Sequence, residues 1–389
     1  MPTPRPRFAL SCLAAALACA ASLAEEPRAE PALPLRMREL LDALERVLPA
    51  ALSEERFADP ARRDEIEGAL AELARGADRV AAHGRGRDAS FAFLSKTLAN
   101  ESRRIHRRFE AGKLDEARFL LLELTEGCVA CHSRLPAQSS HLSDSLLANP
   151  ALRELPLEER AQLEFTTRQF ERALLSYESL LAEPARDPDD LELSGRIDEY
   201  LELTLHVARD PARARRTLER LGRREGVSEL LRGSLASWTR SLGELEQTPA
   251  QAPSLAVAQA WIRKAESAGE KGWDRPGLVY YLAASGVLHQ LLARSPQSPL
   301  DEANASYWLG FVESRVGRAF WLSQTSALLE RSIRLAPEGP HARDALELLR
   351  SFEVASHTGS EGEDMEGFDW TLLVELDSLI RAARPDATR

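Results

Sequence analysis

From Leu35 to the end of the chain the apolar side chains recur at intervals of three and four, and a chain with that period can bury them only as amphipathic helices. Breakers such as Asp187-Pro188, Asp210-Pro211, Pro276-Gly277, Ser295-Pro296 and Pro337 punctuate the pattern. No alternating run indicates a strand, so the fold class expected is all-α. At 389 residues the chain exceeds what one hydrophobic core usually organises, and two or three domains are expected.

Four helical patterns come first. Helix A, about 35–52, places Met37, Leu40, Leu41, Leu44, Val47, Leu48 and Ala51 on one face, with Pro49 near its end. Helix B has Asp59 as N-cap, Pro60 at the first helical position and Gly84 as a stop, with Ile66, Leu70, Leu73, Ala77 and Val80 inward. Helix C runs from near Asp88 to Gly112 on a stripe of Phe91, Leu94, Leu98, Ile105 and Phe109. Helix D, from near Leu114, carries Ala117, Leu120, Leu121, Leu124, Cys128 and Cys131 on one face until Pro136. Short connections between four amphipathic helices favour an up-down-up-down bundle.

From about Leu157 the pattern continues as helical hairpins. Tyr307-Trp308-Leu309-Gly310, followed by Leu328, Ile333 and Pro337, resembles a tetratricopeptide repeat, although the Gly310 to Pro337 spacing is about three residues long for it. Phe170, Ala173, Tyr177 and Leu180 resemble the second helix of another copy. A helical-hairpin solenoid over 156–355 is expected, with an irregular helical domain as the alternative. In 356–389 an acidic, glycine-rich stretch (Gly359 to Glu366) precedes a helical period from Phe368 to Ala382, which reads as a capping helix.

The first 24 residues have the form of an export signal: Arg5 and Arg7, an apolar run from Phe8 to Ala21, and Ser22-Leu23-Ala24 before Glu25. Periplasmic export is therefore expected. A lipoprotein anchored through Cys19 is the alternative, because Ala16-Leu17-Ala18-Cys19 weakly resembles a lipidation site. Residues 25–34 and 139–155 read as linkers. No later stretch reaches membrane length; the most apolar, Val279 to Leu292, is interrupted by Ser285, Gly286, His289 and Gln290. Losing Arg5 and Arg7 with the signal would move the net charge from −11 to about −13, which disfavours a nucleic-acid partner.

With Cys12 and Cys19 inside the signal, Cys128 and Cys131 are the only cysteines left, so a disulfide scaffold is excluded. They stand in Cys128-Val129-Ala130-Cys131-His132, the CxxCH arrangement of covalent haem attachment, in which two thiols take the haem vinyl groups and the adjacent imidazole ligates iron. One helix face brings all three side chains to one macrocycle. A zinc site would need more ligands than the scattered histidines offer. A thioredoxin-like site would need a strand leading into CxxC at a helix N-terminus, whereas this pair ends a helix. One covalent haem c is the cofactor expected.

Helix order and motif placement over 35–138 resemble the cytochrome c prime, cytochrome c-556 and cytochrome b-562 group. That resemblance implies a four-helix haem bundle with the haem near one end. It departs from the group in the early Arg134 and in Pro136, which ends the haem helix soon after the motif.

The resemblance also implies a sixth ligand: members of that group with methionine near the start of helix A use it so, which makes Met37 the candidate here; as a core-filling side chain it would leave iron five-coordinate. His83, ending helix B, and His141, just past helix D, are lesser candidates. His106 belongs to the opposite pole, with Arg103, Arg104, Arg107 and Arg108 around it as a solvated or partner-facing basic patch. The function expected is single-electron transfer to a redox partner protein, with a further protein partner on the helical region; a gas-binding sensor is the alternative. No nucleophile constellation, phosphate loop or second haem motif points to an enzyme.

Overall fold

The computed structural model describes residues 33–51, 53–84, 89–134, 155–166, 168–249, 251–269, 275–294, 298–316, 324–356, 358–359, 362–363 and 370–383. The export signal, His141 and most of both expected linkers lie outside them. The fold is all-α and built from helical hairpins. Among the described residues no helix is long and apolar enough to cross a membrane.

Helices A to D correspond to α1 (Leu33–Ala51), α3 (Arg63–Gly84), α4 (Ala89–Glu110) and α5 (Leu114–Arg134), with a one-turn α2 (Glu54–Phe57) after α1. Their ends follow local chemistry. Ser53 Oγ accepts from the Arg56 amide ahead of α2. Asp59 Oδ1 accepts from the Ala61 amide at 2.9 Å, and Pro60 opens a 3-10 turn that runs into α3. Gly112, at φ +75°, closes α4: its N–H reaches the Phe109 carbonyl and that of Lys113 reaches Arg108. Contrary to the expected linker, α1 already begins at Leu33, because Pro34 costs nothing in a first turn whose amides have no intrahelical partner.

Cross-helix ion pairs set the directions. Arg79 meets Glu39 at 2.9 Å and Arg46 meets Glu72, so α1 and α3 are antiparallel. Arg103 pairs with Asp78 across α3 and α4, and Arg108 with Glu116 (3.3 Å) across the turn into α5. Leu40, Val47, Leu70, Leu73, Ile105, Phe109 and Leu121 fill the space between these helices, with Phe57 edge-on to Phe109 at a centroid separation of 5.4 Å.

The stripe expected to point wholly inward from helix A divides between two partners. Leu40 and Val47 enter the core just described, while Leu41 and Leu48 pack with Leu155 and with Leu163 of the next helix, α6 (Leu157–Thr166), and Leu44 touches both groups. Leu155, expected at the end of a linker, is thereby buried. A stripe holding both Leu40 and Leu41 is too wide for one interface, and α6 also packs along α5.

Beyond α6 come α7 (Phe170–Ala182), α8 (Pro188–Leu193), α9 (Arg196–Glu202), a π-helical turn (Leu203–Ala208), α10 (Pro211–Gly222), α11 (Glu229–Gln247), α12 (Leu255–Ser267), α13 (Leu278–Leu292), α14 (Pro299–Val316), α15 (Thr325–Leu335), α16 (Ala342–Ser356) and α17 (Trp370–Ala383). Two of the expected breakers are helix starts. Asp187 and Asp210 cap α8 and α10, each followed by proline at the first helical position. Neighbours pack as hairpins (α6 on α7, α10 on α11, α12 on α13, α14 on α15, α15 on α16), and α15 also touches α4 of the first four helices. One polar network joins three elements: Tyr177 Oη donates to Glu199 at 2.7 Å, and Arg196 bridges Glu199 (2.7 Å) and Glu158 (2.8 Å).

In the hairpin of α14 and α15, Gly310 lets the helices approach until a Cβ at that position would stand 3.0 Å from the Leu329 side chain. Gly310→Ala is expected to destabilise the protein by about 1–3 kcal/mol through overpacking, despite alanine's better helix propensity. A lowered midpoint in chemical denaturation checks this; an unchanged or raised midpoint contradicts it.

The stretch after α16 was expected to contain no strand, yet Thr358–Gly359 pairs antiparallel with Gly362–Glu363. Two residues per strand are too few for alternation to be legible. The last period forms α17, which lays Leu373, Leu376 and Ile380 against Leu329, Ile333, Ala345 and Leu349.

Candidate haem-attachment site

Helix α5 starts with Asp115 and Glu116, carboxylates suited to the positive end of a helix. It buries Ala117, Leu121 and Leu124 in the bundle core. The 3-4 rhythm that places those side chains continues to Cys128 and Cys131, and the backbone stays helical through both cysteines and His132 as far as Arg134. The cysteine side chains lie outside what is described; the His132 imidazole is half-buried. Three residues at i, i+3 and i+4 occupy one helix face, the spacing that two thioethers and an imidazole on one macrocycle require.

The register between α1 and α5 places Met37. Arg118 Nη1 donates to the Ala51 carbonyl at 3.1 Å, tying the end of α1 to the start of α5. Met37 lies fourteen residues before Ala51 and His132 fourteen after Arg118, about 21 Å of helical rise in each. As α1 and α5 are antiparallel, Met37 and His132 share one level of the bundle. The Met37 side chain is half-buried and packs on the apolar core. His83, penultimate in α3 and half-buried, belongs to the same pole because α3 runs parallel to α5.

His106 lies at the other pole. The arginines around it are mostly neutralised: Arg103 pairs with Asp78, Arg104 with Glu101 at 3.4 Å, and Arg108 with Glu116. Cys128, Cys131 and His132 stand at i, i+3 and i+4 of one helix, a donor set of the kind covalent haem attachment requires, and the register puts Met37 of α1 at about their level.

Two features escaped the sequence. The motif helix is flanked by later elements, α6 and the π-helical turn, besides α1 and α4; contact between segments this far apart leaves no local pattern. Between α13 and α14 a buried polar group also forms, where Ser285 Oγ donates to Glu313 at 3.2 Å and His289 Nε2 stands 3.8 Å from the same carboxylate. In the sequence Ser285 and His289 merely interrupt an apolar run. Comparison of the chain with protein-family models, with curated proteins and with solved structures finds no match in any of the three.

Proposed function

We propose that the chain is an exported, periplasmic c-type cytochrome that passes single electrons, with one haem c held by Cys128 and Cys131, His132 as axial ligand and Met37 as the sixth. The CxxCH motif, continuous with the inward face of α5 and level with Met37 on α1, carries this reading. The haem supplies a one-electron couple whose potential depends on its axial ligands and burial. The cysteines fix its orientation, and His132, one residue after Cys131, presents its ring to the same side. The hairpins from α6 onward serve as the docking surface for a partner protein, in the manner of other helical-hairpin arrays. A second reading, a five-coordinate gas-binding sensor, draws on the packing of Met37 among core side chains, a place methionine fills without any ligand role.

Visible spectra of the haem-loaded mature chain and of Met37→Ala separate the two. Electron transfer predicts sharp low-spin reduced bands and a methionine-to-iron charge-transfer band that the variant loses. A high-spin spectrum that shifts with carbon monoxide and is unaltered by the substitution would establish the sensor coordination instead.

A further inference from the structure

We propose that Glu67, His106 and Glu110 form a divalent transition-metal site of the zinc class, clamping α3 to α4 at the pole of the bundle away from the CxxCH motif. One ligand atom from each residue lies within 4.8 Å of the other two, close enough for a single ion to reach all three. His106 and Glu110 are one helical turn apart on α4, with Nε2 and Oε1 separated by 3.7 Å, and Glu67 faces them from the antiparallel α3.

The backbone beneath these side chains is held rigidly. Ile66, Ile105 and Phe109, each next in sequence to a ligand residue, are buried in the core, so the three Cα positions do not depend on a loop. Electrostatics leaves room for a cation. Arg63 reaches Glu67 only at 4.0 Å while lying over the Phe109 ring, and Arg108 is engaged by Glu116. Two carboxylates outnumber the one arginine that faces them, a balance that favours a cation. One nitrogen and two carboxylate donors suit zinc, manganese or ferrous iron rather than a thiophilic ion, and solvent at the half-exposed Glu110 can complete the coordination.

The site is independent of the haem reading. Zinc titration by calorimetry is run on the haem-loaded chain and on Cys128→Ala/Cys131→Ala, which cannot take zinc at its thiols. Both are expected to bind one saturable zinc and to melt at higher temperature with it. His106→Ala and, separately, Glu110→Gln are expected to weaken binding at least tenfold and to lose the zinc-dependent rise in melting temperature. Glu110→Gln changes an exposed side chain and carries the test if His106→Ala fails to fold. No saturable zinc, or zinc uptake unaltered in the variants, overturns the site.

Discussion

Substituting Cys128 and Cys131 together by alanine is expected to abolish covalent haem: after denaturing electrophoresis the wild-type chain stains for haem and the double variant does not. Each thiol supplies one thioether, so a single substitution is expected to leave a singly attached haem whose pyridine haemochrome band is shifted by the remaining vinyl group. His132→Ala acts differently. Its thiols can still react, but the nitrogen held next to Cys131 is gone, and the spectrum is expected to become that of a haem without its proximal histidine. Covalent haem in the double variant, or a wild-type chain that acquires none when expressed with a cytochrome c maturation system, would remove the basis for an electron-transfer role.

Trp238→Ala is expected to cost about 3–5 kcal/mol, the range for deleting a large, fully buried aromatic side chain. Trp238 is 0 % exposed in the core of the second helical region. Its Nε1 donates at 2.9 Å to the carbonyl of Arg275, which holds a positive φ of 39°. The Arg275 guanidinium in turn donates to Asp198 at 2.5 Å and to the Val316 carbonyl at 2.8 Å, so one residue links the segment before α13 to α9 and α14. Trp238→Phe separates the two contributions: it keeps most of the apolar contact and removes one of two hydrogen bonds to the Arg275 carbonyl, which still accepts from the Leu278 amide at 3.0 Å, for an expected loss of about 0.5–1.5 kcal/mol. Denaturant unfolding followed by circular dichroism measures both. Equal losses in the two variants would show that the hydrogen bond dominates; a loss below about 1 kcal/mol for alanine would contradict the burial argument.

The hairpins do more than follow the first four helices. Because α6 takes part of the apolar stripe of α1 and α15 touches α4, the region proposed to dock a partner is in contact with the helices that carry the proposed haem site.

Local chemistry made much of this protein legible without a structure. The all-α class follows from a three- and four-residue period. Asp59 with Pro60, Asp187 with Pro188, Asp210 with Pro211, and Gly112 mark helix ends through caps and φ preferences that act within a few residues. The CxxCH motif is local in the same sense, since five consecutive residues contain both thiols and the imidazole. His106 and Glu110 also stand at a readable spacing, but Glu67 arrives from another helix, and only the packing of α3 on α4 brings it near.

By itself, then, the sequence determined the helices, most of their ends and the position of the proposed haem attachment, because hydrogen bonding, capping and periodicity act over a few residues. Only the packing divides the stripe of α1 between Leu40 and Val47 in the bundle and Leu41 and Leu48 against Leu155 and Leu163, with Leu44 touching both, and only the packing brings Glu67 to His106. The physical reason is that apolar burial is non-directional: a helix displays its apolar face in its sequence, whereas which neighbour covers that face depends on the area and shape that distant segments bring to it.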